Sequence, residues 1–563
     1  AEVPNSFFGD FNPFAHEIEG DWLLPLEGEA PKHLGDVYLN GRSFYEAGSV
    51  DEVRAPKERE TTTDRWTQTS VNLPDPVWTK YVWHAQVGEK STTIWANFHG
   101  ADPNTELVEI NVRRSVFFPI DTHVNFITVR GFEMAHAATP WSPPTADQPG
   151  LVGPNWAKGW IIEDNIIHDA KCSAVSLGKE KSTGHNFSTL RGDKPGYQYQ
   201  LESVFKALEI GWNREHIGSH IVRRNHIYNC GQNAIVGHLG AAFSIIEDNH
   251  IHDVANKREF FGHEIGGIKL HAPIDVQISH NRIHNCTLGV WLDWQTQGTR
   301  VTRNLFYANT RDIFVEVTHG PYLVDHNVFA SPVSLEIFAQ GGAYVNNLVF
   351  GVVRLEQVLD RSTPYHRPQS TKVAGVGVVF GGDDRFIGNV FLGGDKNDAF
   401  ASDMQAYKNS DYGTAGYNGC PATFAEYLEQ VGPPSQGDHD RFTKVRQTVY
   451  IHDNCYANNA KPYENEDRAL NLNESAEVSV IDEGESVYLE ADIPAAFDSL
   501  KVGLITGADL VPVRVAGVDF EAPDGSPVRA DVDLVGNSKT AANQYAAGPI
   551  ANLASGKSRI QIW

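Results

Sequence analysis

Two carboxylates, Asp293 and Glu316, are the residues best placed to do chemistry. Each closes a short stretch of one pattern, GVWLD (Gly289–Asp293) and DIFVE (Asp312–Glu316), and each lies 11 residues before an asparagine in a repeated setting, Asn304 in VTRNLF and Asn327 in LVDHNVF. The two acids are therefore 23 residues apart, one full repeat. A fixed period of this size predicts stacked coils, in which equal register means the same place on neighbouring coils. Adjacent parallel strands lie about 4.8 Å apart. Outward carboxylates at that spacing come near the roughly 5–5.5 Å at which one acid serves as nucleophile and the other as acid/base on a glycosidic bond, with retention of configuration. Such a pair drives its own pKa values apart, so one group stays ionised while the other holds a proton. Symmetry alone does not say which is which.

The neighbouring stretches extend the row. AIVGH (234–238), GIKLH (267–271), GVWLD and DIFVE align so that Ile268, Leu270, Val290, Leu292, Ile313 and Val315 point inward. Lys269, Trp291 and Phe314 point outward, beside a row of His238, His271, Asp293 and Glu316. Trp291, Phe314 and Trp294 wall this row, and aromatic walls beside convergent acids suit a sugar. A bland surface ladder of polar residues is the competing reading. A third acid, Glu264, adjoins His263 in the glycine-rich FFGHEIGGIKLH. It is placed to bind sugar hydroxyls or to tune the acid; a solvent-facing loop acid is the alternative.

The element that must carry this row is a solenoid. From about residue 120 the phrase recurs as IIEDNII, IVRRNHI, IIEDNHI, VQISHNRI, VTRNLF, LVDHNVF, YVNNLVF, RFIGNVF and VYIHDNCY, with asparagines at 165, 225, 249, 281, 304, 327, 347, 389 and 454. About 22 residues per coil, with alternation inside each strand, predicts an all-β fold, a right-handed parallel β-helix. The asparagine column is expected at the bends, in left-handed geometry, with amides bonded along the axis. His168, Tyr228, His252, His284 and Tyr307 form a second column, read as stacked rings and not as a metal site. Two insertions carry helices: YQLESVFKALEIG, and TFAEYLEQV opened by a Thr423/Glu426 capping box. Residues 1–115 lack the repeat and alternate short strands with turns, the pattern of a β-sandwich module. Residues 116–470 are the helix, and 471–563 are strands and a tail expected to cap its end.

The composition narrows the partners. The chain has 563 residues, a net charge of −25 and a pI near 5.3. Nucleic acid and anionic membranes favour a basic patch, so both are disfavoured. There is no apolar run long enough to span a bilayer and no signal peptide, which gives a cytoplasmic expectation. Five sparse cysteines without C-x-x-C spacing indicate neither a disulfide framework nor a zinc site; Cys230 and Cys286 read as fillers of an interior column. No metal ligand set and no cofactor is called.

The stretch Val3–Phe14, the coils to about Phe391, and above all WLDWQTQG and DIFVEVTHGP resemble the β-xylosidases of glycoside hydrolase family 120. That resemblance implies a β-helix interrupted by an N-terminal immunoglobulin-like β-sandwich module. It implies a retaining, exo-acting enzyme on xylobiose and short xylo-oligosaccharides, assembled as a homotetramer. It makes Asp293 the nucleophile, Glu316 the acid/base, Glu264 beside His263 an acid lining the pocket, and Trp22 an aromatic lent by the sandwich. The family also places β-helix coils before the sandwich, which this sequence does not show. Two rivals stand beside this reading: a polysaccharide lyase using Lys269 or His271 as base, and a non-catalytic carbohydrate-binding solenoid.

Overall fold

The computed structural model describes residues 1–24, 27–395, 405–434 and 441–563, with the backbone alone at 405 and 406. Three parallel sheets of ten, eleven and seven strands stack along one axis, and the seven coils that reach the third sheet give one strand to each. The first and second begin at Thr128–Arg130 and Glu133–Ala137; the third runs from Ser173–Ser176 to Val352–Leu355. Each short strand sends its middle residue inward. Ile162, Val222, Ile246, Ile278, Val301 and Val324 fill one wall of the interior, and Ile167, Ile227, Ile251, Ile283, Phe306 and Phe329 another. Cys230 and Cys286 lie in the same interior.

The nine repeat asparagines form one hydrogen-bonded column. Each side-chain amide donates to the Oδ1 of the next asparagine at 2.9–3.0 Å, and each backbone N–H donates to the same atom. Asn454 ends the column on Glu466 at 2.8 Å. The left-handed residue, however, is not the asparagine. It is the residue before it: Asp164, Arg224, Asp248, His280, Arg303, His326, Asn346 and Asp453 all have φ between 50° and 62°. The asparagine is freed from bending the chain and spends both ends of its amide on the axis. The ring column is stacked as expected, with centroids 4.7–5.2 Å apart from His168 through Tyr228, His252 and His284 to Tyr307.

The N-terminal module pairs a four-stranded sheet with a three-stranded one around Phe8, Phe14, Val37, Phe44, Trp83 and Ile94. Its contact with the helix is both apolar and polar: Ile18 and Leu34 pack on Ala138, Trp141, Cys172 and Ile265, Lys171 from the helix lies 3.8 Å from Asp36, and the backbone N–H of Glu46 donates to Glu259 at 2.7 Å. Beyond the module, Ile120, Phe126 and Phe132 are exposed at the first coil.

The C-terminal tail does not sit on the end of the helix as a cap. Its strands Glu477–Asp482, Val487–Ile493 and Gly556–Gln561 lie along a flank. There Val487, Leu489, Phe497, Val502 and Phe520 cover Leu305, Leu323, Val328, Ala343, Leu348, Ile387 and Cys455, outward residues of five coils. Burying that stripe is what the tail's apolar residues are for. The two expected helices form over Gly196–Glu209 and Phe424–Val431. Thr423 caps the second, but Glu426 accepts from the N–H of Ala422, one residue outside the expected box.

Candidate active site

The third sheet sets the row. His238 pairs in register with His271, His271 with Asp293, and Asp293 with Glu316, while Lys269, Trp291 and Phe314 form the parallel column two residues earlier. Alternation and a common 23-residue coil therefore put the two acids side by side. Gly289 allows the coil to close this tightly: a Cβ there would lie 2.6 Å from the Asp312 carbonyl and 2.8 Å from the Phe306 ring. Immediately after the row the chain turns. Leu239, Ala272, Trp294 and Val317 all have positive φ, between 42° and 69°. At Val317, a β-branched residue, this geometry is strained by roughly 1–3 kcal/mol.

Asp293 is bonded by the Lys269 ammonium, with Nζ 2.5 Å from Oδ2, and Lys269 also lies 2.8 Å from Glu264. All three are buried. Burial pushes the Glu264 carboxyl up to about 8; Lys269 opposes this, and the nearby negative charge of Asp293 adds to it. Burial by itself would lower Lys269, but Asp293 and Glu264 outweigh it and hold the ammonium protonated. A lysine so held is no Brønsted base, which removes one of the two bases the lyase reading would use. Glu316 is also raised, first by burial and then by Asp293, against the pull of Arg361, whose guanidinium bonds its Oε1.

Arg361 is the functional candidate that sequence reasoning missed. It projects from a hairpin, Val358–His366 with Val373–Val379, that rises from the helix and closes over the row. The hairpin is pinned by His319, whose Nε2 lies 3.2 Å from the carbonyls of Thr363 and Gly377, and by Gln297 bonded to the backbone of His366. Its sequence signal was the 42-residue step from Asn347 to Asn389, nearly twice the usual coil.

The aromatic wall is assembled from both modules. Trp291 and Phe314 lie 5.0 Å apart, and Trp66, from the loop joining Thr61–Thr63 to Ser70–Asn72, packs on both at 6.0 and 6.3 Å. Asp64 fixes that loop by bonding Arg258 at 3.2 Å. Trp66 also lies 5.2 Å from His263, and it was the second residue missed. Trp22 reaches the same neighbourhood more distantly, 6.5 Å from His263, which donates its backbone N–H to the Trp22 carbonyl. Trp294 faces His271 at 5.5 Å and packs against Val317, Val358 and Tyr197.

Several buried polar atoms in this wall have no partner among the described residues: both ring nitrogens of His238 and of His271, and the indole N–H groups of Trp22, Trp291 and Trp294. Burial holds both histidines well below their ordinary pKa, so each presents one donor and one acceptor. Buried donors and acceptors are rarely left unpaired without a ligand to meet them. Together they form a buried cluster of two acids with hydroxyl-binding groups beside them, a set competent for acid/base-assisted displacement at an acetal carbon.

Residues 1–110 match the family model for the insertion domain of glycoside hydrolase 120, and residues 157–347 match that for a right-handed β-helix region. A solved structure of XylC in complex with xylose is 53% identical, with a TM-score of 0.95 over all of this chain and 86% of that one. No curated protein matches.

Proposed function

The chain belongs to glycoside hydrolase family 120, and on that footing we propose that it is a retaining β-xylosidase that removes single xylose units from the non-reducing end of xylobiose and short xylo-oligosaccharides. The observation that carries this reading is the register pair Asp293–Glu316 beneath an aromatic wall. Adjacent coils leave room for direct attack, whereas an inverting pair needs about 6.5–9.5 Å to admit a water.

Asp293 is the nucleophile: the ammonium of Lys269, 2.5 Å from its Oδ2, holds its side chain in place on the row. In the first step an Asp293 oxygen bonds to the anomeric carbon. The bond to the leaving oxygen breaks, and its electron pair takes the proton held by Glu316. In the second step Glu316, now a carboxylate, accepts a proton from water. The water oxygen bonds to the same carbon and the pair in the ester bond returns to Asp293. Glu264 holds the same ammonium at 2.8 Å and so fixes Lys269 between the two acids. The hairpin, the loop of Trp66 and the helix Gly196–Glu209 close the pocket, which supports exo cleavage. The neighbour seen with xylose supports the choice of sugar.

The test is xylose release from xylobiose followed by proton NMR, with Asp293→Asn beside the wild type. Early β-xylose from the wild type and none from the variant is expected; early α-xylose would overturn retention, and no xylose from folded wild type would overturn the activity. Glu316→Ala should lose turnover of xylobiose far more than of activated aryl xylosides, and azide should rescue it as a glycosyl azide of retained configuration. Normal xylobiose turnover by Glu316→Ala removes its role as acid.

A further inference from the structure

A second cluster lies on the outer face of another sheet, away from the catalytic row. In the strands His226–Tyr228 and His250–His252, Ile227 and Ile251 point into the core and the flanking residues point out. His226 pairs in register with His250, and Tyr228 with His252. Ring stacking accounts for each column, but not for the contact between columns. His226 Nε2 lies 2.7 Å from His252 Nε2, and one ring nitrogen from each of His226, His250 and His252 falls within 4.8 Å of the others. His252 Nδ1 bonds the carboxylate of Asp253 at 2.6 Å. That bond places the proton on Nδ1 and leaves the Nε2 lone pair facing His226.

We propose that His226, His250 and His252 bind one divalent transition-metal ion of the imidazole-preferring class, Zn²⁺, Ni²⁺ or Cu²⁺, with Asp253 as the positioning residue. Three imidazoles with ring nitrogens this close, one of them oriented by a carboxylate, are the ligand set such ions select, and His250, whose Nε2 lies 2.8 Å from His284 Nε2, is the ring that must choose between the ion and that neighbour. The three rings are half-buried, so the ion is reachable from solvent. Arg282, next in the His226–His250 column, is the unfavourable neighbour, but its charge is paired with Asp482 at 2.8 Å. The nearby group of His136, His168 and Asp169 is a poorer candidate. There His168 has carboxylates on both nitrogens, Asp169 at 2.7 Å and Glu133 at 3.3 Å, and is already satisfied as an ion pair. The ion would tie two neighbouring coils together and takes no part in the chemistry at Asp293.

Calorimetric titration of the chelator-treated full chain with Zn²⁺ tests this. One ion per chain is expected, with a rise in melting temperature and unchanged glycosidase activity. The double variant His226→Gln, His252→Gln should lose the site, and Asp253→Asn should weaken it by about 10–100-fold. Co²⁺ in the wild type should give the visible absorption of a four- or five-coordinate nitrogen site, a reading that survives if the double variant fails to fold. Absence of saturable binding, binding by a folded double variant equal to wild type, or a Co²⁺ spectrum of the hexa-aquo ion each overturns the proposal.

Discussion

At Glu316 opposing influences act on one proton. Burial and the charge of Asp293 raise its pKa, and the Arg361 guanidinium lowers it. A general acid must keep its proton until the leaving oxygen takes it, so activity falls as pH rises through this pKa. Replacing Arg361 with Gln removes the lowering influence and leaves the raising ones. The alkaline limb of kcat/KM should therefore move to higher pH. A limb that stays in place, or moves to lower pH, would show that Arg361 does not govern Glu316. The same substitution frees the hairpin from its bond to the acid, so KM is to be recorded with kcat.

At the scale of the element, the asparagine column decides how the coils hold their register. Asn304 donates to Asn327 Oδ1 and to the carbonyls of Ile278 and Thr302, and accepts from the side chain and backbone of Asn281. Asn304 lies midway between the strands that present Asp293 and Glu316. Asn304→Ala leaves buried donors and acceptors unpaired on both sides, each costing roughly 1–3 kcal/mol. A clear drop in melting temperature is expected, with activity lost in the same range as the fold loosens. An unchanged melting temperature would mean that the column is ornament to strand pairing. Shape follows the same economy of parts: the residue before each asparagine takes the left-handed bend, and the amide is kept for the axis.

At the scale of the molecule, the site is shared between modules that meet through both apolar and polar contacts. The sandwich lends Trp66, held by Asp64 on Arg258, and it packs edge-on and tilted against Trp291 and Phe314 from the coils. Arg311 lies over the same ring at 4.2 Å. Trp66→Ala should lower kcat/KM by about ten-fold or more, the loss of one aromatic wall worth about 1.4 kcal/mol. Its melting temperature should fall little, because Trp66 belongs to the rim and not to the core of either module. Unchanged kinetics would detach the sandwich from the pocket. The tail works on the opposite account: it buries an outward apolar flank and contributes no residue to the row.

The sequence by itself determined the coil, its period and the register of Asp293 with Glu316. Period-2 alternation and a fixed repeat are local rules, and stacking turns equal register into proximity. His238 and His271 followed from the same alignment. What it could not determine was everything that reaches the row from outside the repeat. Arg361 lies 45 residues beyond Glu316 and Trp66 lies 227 residues before Asp293, on insertions whose docking depends on His319, Asp64 and Lys171. Lys269 was legible as outward but not as the bridge between Asp293 and Glu264, because Glu264 sits in an irregular loop with no register to read. The left-handed bends were placed one residue late, since composition marks the asparagine while backbone geometry chooses its neighbour. The tail's position on the flank, and not on the end, was decided by where the outward apolar residues of five coils line up, which exists only once the coils are stacked.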